Sequence, residues 1–336
     1  MQFGAIPVAE AQGAILAHSL MVAGRRLAKG TWLDESHVAH LRKAGVETVT
    51  VARLEAGDIE ENTAAMRLAT ALAPDAEALG LRVSAAGAGR VNLYAMGPGV
   101  VQLDIARIHR LNAVDAMITT ATLPDLMRVD PGTMVATIKI ISYAVPDAAL
   151  AQASRDMGGA IAIRPPQFKT ATMIETSVPD MPKSGKGRAA MAERMQRLGV
   201  SLTDPVLVPH AEADLANAIA AAEGEVIFIL TASATSDMHD IAPSALRVAG
   251  GSVTRYGLPV DPGNLLFFGT CAGKPVIGLP GCARSPALNG ADWVLERLIC
   301  GLELTQADIA QMGVGGLLKE IPTRPRPRNR KYKVGD

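Results

Sequence analysis

Cysteine and aromatic residues are scarce in this chain. Three of its 336 residues are cysteines (Cys271, Cys282 and Cys300), and aromatic residues make up only 3% of it. The cysteines show neither a CxxC spacing nor a neighbouring histidine pattern, which excludes the common zinc motifs and a disulfide framework and favours a reducing cytoplasm. The shortage of aromatic residues argues against a surface on which nucleic-acid bases stack.

An excess of either charge is also missing, because 33 Lys and Arg balance 33 Asp and Glu. We therefore expect neither nucleic acid nor an anionic membrane as a partner. No run of about 18 uninterrupted apolar residues occurs, so no membrane-spanning helix is expected. The first residues lack a basic segment followed by a long apolar core, so no secretion signal is expected either.

The length predicts two or three domains, at about 100–200 residues each. Glycine and proline stops between apolar runs divide the chain into four segments. These are an N-terminal α/β segment over 1–75, a middle α/β unit over 76–168, a regular α/β domain over 169–302, and a short helix with a basic Pro/Arg tail over 303–336.

The first two segments mix short strands with helices. Asp34 or Ser36 is predicted to cap a helix that stops at Gly45. Apolar periodicity predicts further helices over 61–73, 103–111 and 147–157. Runs rich in β-branched residues predict strands over 46–51, 91–94, 135–145 and 161–165.

From residue 170 onward, strands and helices alternate regularly. The predicted strands are 170–178, 202–208, 226–230 and 253–258, followed by a hairpin of 265–269 and 274–278. The predicted helices are 187–198, 210–222, 241–248 and 289–299. This alternation predicts an α/β fold with three layers, in which crossover helices cover both faces of a mostly parallel sheet.

Two turns in this domain carry the signal for a site. ILTASATSDMHD over 229–240 and VIGLPGCARSP over 276–286 each follow an apolar strand and precede a helix pattern. At such positions α/β proteins hold phosphate groups, so we expect a phosphorylated small molecule. The hydroxyls of Thr231, Ser233, Thr235 and Ser236, together with backbone amides, are the candidate donors.

The order of these motifs resembles the molybdopterin-binding (MoaB/Mog) domain shared by molybdenum insertases and gephyrin, over about residues 170–301. The family's S-G-G-x-S-x-G-D-x-D aligns without gaps to TASATSDMHD and pairs Thr231, Thr235 and Asp240 with its two serines and last aspartate. The residues before 54 resemble, more loosely, the first segment of molybdenum insertases. The resemblance implies a MoaB/Mog-like domain preceded by smaller α/β units.

Two further family motifs are partly kept. P-G-K-P survives as Pro262 and Gly263, with Asn264 in place of the lysine. G-L-P-G-N-P-x-S survives at Gly278, Leu279, Pro280, Gly281 and Ser285, while Cys282 and Ala283 replace Asn-Pro. The resemblance implies that the ligand contacts are Thr231, Ser233, Thr235, Ser236, Pro262, Gly263, Gly278, Pro280, Gly281 and Ser285.

The resemblance also implies catalytic and metal-binding roles for Asp237 and Asp240. The family's first aspartate falls at Met238, so Asp237 is either a shifted Mg²⁺ ligand or a surface aspartate. Asp240 has two open roles, in the site and as the cap of the following helix, with Pro243 in its first turn. Cys282 is either a soft ligand or reactive thiol or a packed residue, and His239 is expected to be solvated.

The implied function is binding of molybdopterin, or its adenylylated form, in molybdenum cofactor biosynthesis. The protein would hold the pterin phosphate for metal insertion with Mg²⁺ and molybdate, or for nucleotide attachment by a nucleotidyltransferase partner. Substitutions at Ala232, Ser233 and Asn264 favour binding over catalysis. A cytoplasmic homo-oligomer is expected. The alternatives are a non-catalytic scaffold protein that kept the fold and a related nucleotide pyrophosphatase.

Two further groups of polar residues have open roles. The string KSGKGR lacks the P-loop spacing, so we expect Lys183, Lys186 and Arg188 to bind an anion or to face solvent. Ser285, which precedes Pro286, is predicted to cap a helix. A polar wall is expected in the middle unit, formed by Arg90, Asn92, Thr119, Thr122 and Lys139.

Overall fold

A computed structural model describes residues 1–179 and 185–318 of the chain. The chain divides into two compact units, Met1–Pro165 and Pro166–Asp336. Separate hydrophobic cores fill the units, because the buried clusters of the first unit share no residue with those of the second.

The first unit contains short strands and four helices among its described residues. Its strands are β1 Gln2–Pro7, β2 Ile15–Leu16, β3 Leu20–Val22, β4 Arg25–Leu27, β5 Thr48–Arg53, β6 Asp58–Glu60, β7 Leu81–Val83, β8 Arg90–Ala95, β9 Gly99–Leu103, β10 Ile118–Thr122, β11 Arg128–Val129, β12 Met134–Ile140, β13 Ala144–Pro146 and β14 Ile161–Arg164. Its helices are α1 Glu35–Lys43, α2 Glu61–Leu72, α3 Ile105–Asn112 and α4 Asp147–Ser154.

Helix starts in the first unit follow local capping chemistry. The Asp34 carboxylate accepts a hydrogen bond from the His37 amide at 2.9 Å, which makes Asp34, and not Ser36, the N-cap of α1. This hydrogen bond, with a second from the Ser36 hydroxyl, lowers the pKa of Asp34 to about 2. Helix α3 begins at Ile105, two residues later than predicted, because Asp104 caps it through the Arg107 amide.

The predicted strand over 135–145 is wrong, because the structure has two strands there. β12 pairs with β10 and β8, whereas β13 pairs with β6. Between them the chain turns at Ser142, whose hydroxyl donates to the Ala144 carbonyl at 2.6 Å. The β-branched run does not reveal this turn, since strand propensity is the same on both sides of it.

The second unit is built on one seven-stranded sheet. Its strands are β15 Thr170–Ser177, β16 Ser201–Leu202, β17 Val206–Pro209, β18 Val226–Leu230, β19 Ser252–Tyr256, β20 Phe267–Cys271 and β21 Lys274–Gly278. Its helices are α5 Lys186–Arg197, α6 Glu212–Ala220, α7 Ile241–Val248, α8 Gly290–Ile299 and α9 Gln306–Gln311. The strand order is β16, β15, β18, β21, β20 and β19, with β17 also paired to β15.

Four neighbouring pairs in this sheet are parallel and two are antiparallel. β16, β17 and β18 run parallel to β15, and β21 runs parallel to β18. β20 turns back against β21 and pairs with β19, both antiparallel. The predicted strand over 202–208 is wrong, since Pro205 separates β16 from β17 and lacks the amide that a continuous ladder needs.

Alternating side chains of β18 show that helices cover both faces of the sheet. Phe228 packs in one buried cluster with Met191 of α5 and Val294 of α8. Ile227 and Ile229 point to the other cluster, which contains residues of α6 and α7 such as Leu246. The predicted α/β class with three layers and a mostly parallel sheet is therefore confirmed in this unit.

Candidate functional site

The candidate site of the second unit is at the carboxyl ends of β15 and β18. These strands are parallel neighbours, so both end at the same edge of the sheet. The helix after β15 packs on one face and the helix after β18 on the other. In open α/β sheets, ligands bind between two neighbouring strand ends whose following helices lie on opposite faces of the sheet. The loop over 231–240 begins there.

Hydrogen bonds fix the shape of this 231–240 loop. The Thr231 hydroxyl donates to the Ser233 carbonyl at 2.6 Å, and both Thr231 and Thr235 are 6% exposed. The Ala232 amide donates to the Thr176 hydroxyl of β15 at 2.8 Å, and the Tyr256 hydroxyl donates to the Thr235 carbonyl. Two of the four predicted donor hydroxyls are thus buried in the loop, where they shape it.

The same loop presents three consecutive backbone amides without protein partners. Within residues 1–179 and 185–318, nothing accepts a hydrogen bond from the amides of Ser233, Ala234 or Thr235. Ser233 and Ala234 are exposed, and the Ser233 hydroxyl likewise has no partner in this part of the chain. Successive free amides in a turn make a concave donor set that suits an oxyanion.

Asp240 closes the loop and caps α7. One carboxylate oxygen accepts from the Ile241 amide at 2.7 Å, and the other accepts from the Ser236 amide at 2.9 Å. The hydrogen bond from the Ser236 amide is the main cause that holds the pKa of Asp240 below its ordinary value. The capping role is therefore confirmed, and Asp240 fixes the end of the loop.

An Asp240→Asn variant should lose about 1 kcal/mol in the free energy of unfolding. The asparagine side chain has one acceptor oxygen, so it cannot replace both carboxylate oxygens that accept from the Ser236 and Ile241 amides. Since the folded-state pKa is lowered, the carboxylate stabilises the protein above its ordinary pKa of 3.8 and loses this effect as pH falls through the lower folded value. Urea unfolding should be measured from neutral to strongly acid pH. The unfolding free energies of the parent protein and the variant should become equal only below pH 3.8. Exposed Asp204→Asn is the control, and convergence already at neutral pH would contradict the prediction.

The carboxylates of Asp237 and Asp240 accept hydrogen bonds from different backbone amides. One Asp237 oxygen accepts from the His239 amide at 2.8 Å, and Asp237 is exposed. Among the described residues, no three His, Cys, Asp or Glu side chains are grouped so that they could hold a metal ion. His239 is exposed, as expected. A role of Asp237 toward Mg²⁺ stays a prediction.

The segment after β21 borders the same edge of the sheet. The Leu279 amide donates to the Ile229 carbonyl at 2.8 Å, which sets this segment beside the end of β18. Pro280 is buried, and a 3₁₀ helix follows over Gly281–Arg284. A Cβ placed on Gly281 would meet no atom within 4 Å, so Gly281 borders open space. Gly281 is therefore the glycine of this segment that a ligand can approach closely.

Arg284 joins the two motifs, although the sequence analysis did not single it out. Its Nη2 donates to the Thr231 carbonyl at 2.7 Å, so the 276–286 segment holds the start of the 231–240 loop. Thr176 and His210 were also missed, and the Thr176 hydroxyl lies 2.9 Å from His210 Nδ1. Thr176 is next to the last residue of β15 and His210 follows β17, so both lie at the carboxyl edge of the sheet, which is the signal that could have found them.

Other predicted site residues have packing partners in the structure. Pro262 accepts from the Gly290 amide at 2.8 Å, and a Cβ on Gly263 would lie 2.6 Å from that same nitrogen. No hydrogen bond joins this turn to the 231–240 loop among the described residues. A Cβ on Gly278 would clash with the Phe267 ring. These glycines are needed where backbone and ring pack closely.

Ser285 and Cys282 also differ from their simplest predicted roles. The Ser285 hydroxyl accepts from the Ala287 amide, whereas Asn289 caps α8, so the prediction of Ser285 as a helix cap is wrong. Proline at 286 suggested the cap, but α8 begins only at Gly290. Cys282 is half-buried, and burial raises the pKa of its thiol. A packed cysteine fits this better than a reactive thiolate.

Other polar residues singled out in the sequence have partners or sheet positions within their own unit. Arg188 donates through Nη2 to the Thr203 carbonyl, and Lys183 lies outside the described residues. In the first unit, Arg90, Asn92, Thr119 and Lys139 share one sheet face by register, because Lys139 pairs with both Arg90 and Thr119. Thr122 pairs with Ala136 and lies on the opposite face, so its predicted place in this polar wall is wrong.

Comparisons with known proteins give three findings. A family model described as a domain of unknown function (DUF8806) matches residues 5–53. No curated protein matches the sequence. Among solved structures, the molybdopterin biosynthesis MoeA protein from Pyrococcus horikosii is 14% identical with a TM-score of 0.28, covering 93% of this chain and 77% of that one. A molybdenum cofactor biosynthesis protein from Pyrococcus furiosus is 12% identical with a TM-score of 0.23, covering 90% of this chain and 66% of that one.

None of the helices within residues 1–179 and 185–318 combines the length and the apolar character that crossing a membrane requires.

Proposed function

We propose that the protein binds molybdopterin, or its adenylylated form, in molybdenum cofactor biosynthesis in the cytoplasm. The observation that carries the proposal is the row of backbone amides at Ser233, Ala234 and Thr235, which have no partner among the described residues and follow the carboxyl end of β18. A terminal phosphate accepts several hydrogen bonds at once, and such a row supplies them. The resemblance of the ordered motifs supplies the identity of the ligand.

In this arrangement the phosphate lies at the 231–240 loop and the pterin lies along the segment that starts at Gly281. The Ser233 hydroxyl donates to the phosphate, while Thr231 and Thr235 keep the loop in shape. Arg284 holds the two loops together through the Thr231 carbonyl. Ligand binding thus depends on both motifs.

Presentation of the pterin to a nucleotidyltransferase is our preferred role, with metal insertion as the second. Both oxygens of Asp240 accept backbone amides, one from the loop and one from α7, whereas Asp237 keeps one oxygen without a donor among the described residues. Mg²⁺ commonly needs only one or two carboxylates when phosphate oxygens complete its shell, so Asp237 is the residue that would hold it. Self-association of the chain and use of molybdate belong to the same proposal.

A Gly281→Leu variant tests the site by filling the open space that Gly281 borders. The leucine meets no protein atom near its Cβ, so the fold should be kept, but its side chain occupies the space assigned to the pterin. We expect molybdopterin affinity to fall by about tenfold or more, since steric overlap costs at least the ~1.4 kcal/mol that a tenfold change represents. Equilibrium binding, with thermal unfolding as a check of folding, measures this.

The matched control is Gly97→Leu in the first unit, where a Cβ also meets no atom within 4 Å. A second variant, Ser233→Ala, should weaken binding by about tenfold because it removes a donor to a charged group. Its control is exposed Ser201→Ala. Unchanged affinity in both Gly281→Leu and Ser233→Ala would reject the site.

Mass analysis of ligand that co-purifies from a molybdenum-replete host separates the alternatives. A pterin supports the proposal, and a nucleotide supports a pyrophosphatase. Protein without either ligand, combined with no binding of added molybdopterin, supports a scaffold role.

A further inference from the structure

A cavity lined by charged groups lies wholly within the first unit. It has a volume of about 340 Å³ and is bordered by the first residue of α2, the end of β12 and the chain on either side. Its charged lining residues are Lys29, Glu61 and Lys139. The volume is at the small end of the range of ligand pockets, about 300–1,000 Å³. None of these residues has a role in the function proposed above.

The carboxylate of Glu61 is largely buried but has few hydrogen-bond donors around it. Its side chain is only 15% exposed, and its charged partner is Lys139 Nζ at 3.5 Å. Within residues 1–179 and 185–318, no other group donates a hydrogen bond to this carboxylate. A carboxylate offers about four acceptor positions, so most of them are left for a molecule in the cavity. Burial also raises the pKa of Glu61.

The position of Glu61 and Lys139 is fixed by the neighbouring turn. Lys139 Nζ donates to the Ala88 carbonyl at 2.6 Å. A Cβ on Gly89 would lie 2.4 Å from Glu61 Oε2 and 2.9 Å from Lys139 Nζ, so the backbone packs directly against the pair. The Gly89 amide is tied to the Asn62 side chain at 2.9 Å. The two charges are therefore held in place before any ligand arrives, which lowers the cost of binding.

Lys29 supplies a second positive charge. Its ammonium makes no hydrogen bond or ion pair in the part of the chain that the structure describes. It lies near enough to Glu61 to act on that carboxylate electrostatically. The lining thus carries two cations and one anion, which leaves one positive charge in excess. An ammonium is a point charge that suits phosphate, whereas Glu61 as an acceptor needs a donor from the ligand.

We propose that this cavity binds a small phosphate monoester that carries a hydroxyl group. The phosphate lies between Lys29 and Lys139, and the hydroxyl donates to Glu61. All residues of this cavity belong to the first unit, and none of them has a part in the proposed molybdopterin site.

Glycerol 3-phosphate is the probe, with inorganic phosphate and glycerol as its two halves. Isothermal titration of the full chain should show binding of glycerol 3-phosphate, weaker binding of inorganic phosphate and no binding of glycerol. Lys29→Met should weaken both phosphate probes by about fivefold or more, as expected when one partner of a charge-assisted contact is lost. Lys43→Met, an exposed lysine of α1, is the matched control and should change neither.

A Glu61→Gln variant tests whether Glu61 accepts a hydrogen bond from the ligand hydroxyl or only repels the phosphate. Removing the negative charge should leave inorganic phosphate equally or more tightly bound, while glycerol 3-phosphate should bind about fivefold more weakly because a charge-assisted hydrogen bond becomes a neutral one. Tighter binding of both probes would overturn the role of Glu61. Absence of glycerol 3-phosphate binding, or equal losses in Lys29→Met and Lys43→Met, would overturn the site. Thermal unfolding of each variant checks folding.

Discussion

Replacing Gly278 with alanine should lower the free energy of unfolding by about 3 kcal/mol, as overpacking of a filled core does. A Cβ at this position would lie 1.9 Å from the ring of Phe267, and Phe267 is only 1% exposed. The two residues are direct partners in the register of β20 and β21. The ring therefore covers the glycine and has no free space to move into. Urea unfolding followed by circular dichroism measures the loss.

Gly281→Ala is the matched control from the same motif. A Cβ there meets no atom within 4 Å, so the change should stay within about 0.5 kcal/mol, as for other open surface positions. A double variant, Gly278→Ala with Phe267→Leu, should recover part of the loss because the smaller side chain vacates the space. Equal effects of the two glycine substitutions, or no recovery, would show that the ring contact is not the cause.

These two glycines show where sequence reasoning about the site stops. In the string GLPG both have the same motif role, and the resemblance assigned both to the ligand. The strand register sets Gly278 against the ring of Phe267, whereas Gly281 lies beyond the strand and borders open space. The register follows from pairing between segments, and a local pattern does not contain it.

The alternation of strands and helices in the second unit was predictable because each apolar run ends at a clear stop. Gly199, Gly250 and Gly251 close helices there, and Val226–Leu230 is apolar throughout, as expected for a strand buried on both faces. The errors fall where a break lies inside a uniform run. Pro205 was read through as part of one strand, and the turn at Ser142 has no glycine or proline to mark it.

The connections within the candidate site were beyond the sequence. Arg284 reaches the Thr231 carbonyl across 53 positions, and the Thr176 hydroxyl receives the Ala232 amide across 56. No sequence pattern around Arg284 or Thr176 indicates which residue it contacts. What the sequence does provide is the rule that the carboxyl ends of parallel strands meet at one edge. Applied to the last residues of β15 and the residue after β17, this rule would have included Thr176 and His210.

Replacing Arg194 with methionine should destabilise the protein by about 3–5 kcal/mol, the usual result of removing one partner from a buried ion pair. Arg194 on α5 pairs with Asp292 on α8, and the two side chains are 9% and 7% exposed. Its guanidinium also donates to the carbonyls of Ala283, Ser285 and Ala287 at 3.0, 2.8 and 3.2 Å. One side chain thus holds the segment that carries Gly281.

The loss should appear both in stability and in ligand binding. Methionine leaves the Asp292 carboxylate buried without its cation and releases three carbonyls of the segment after Gly281, so molybdopterin affinity should fall even under conditions where the variant is folded. Exposed Gln196→Met on the same helix is the control for the substitution itself. A double variant with Asp292→Leu removes both charges, and its cost should be smaller than the sum of the single costs by about 0.5–3 kcal/mol, the coupling expected for residues in contact. Additive costs would mean that the pair does not act as a unit. Full stability of Arg194→Met would mean that α5 and α8 hold the segment without it.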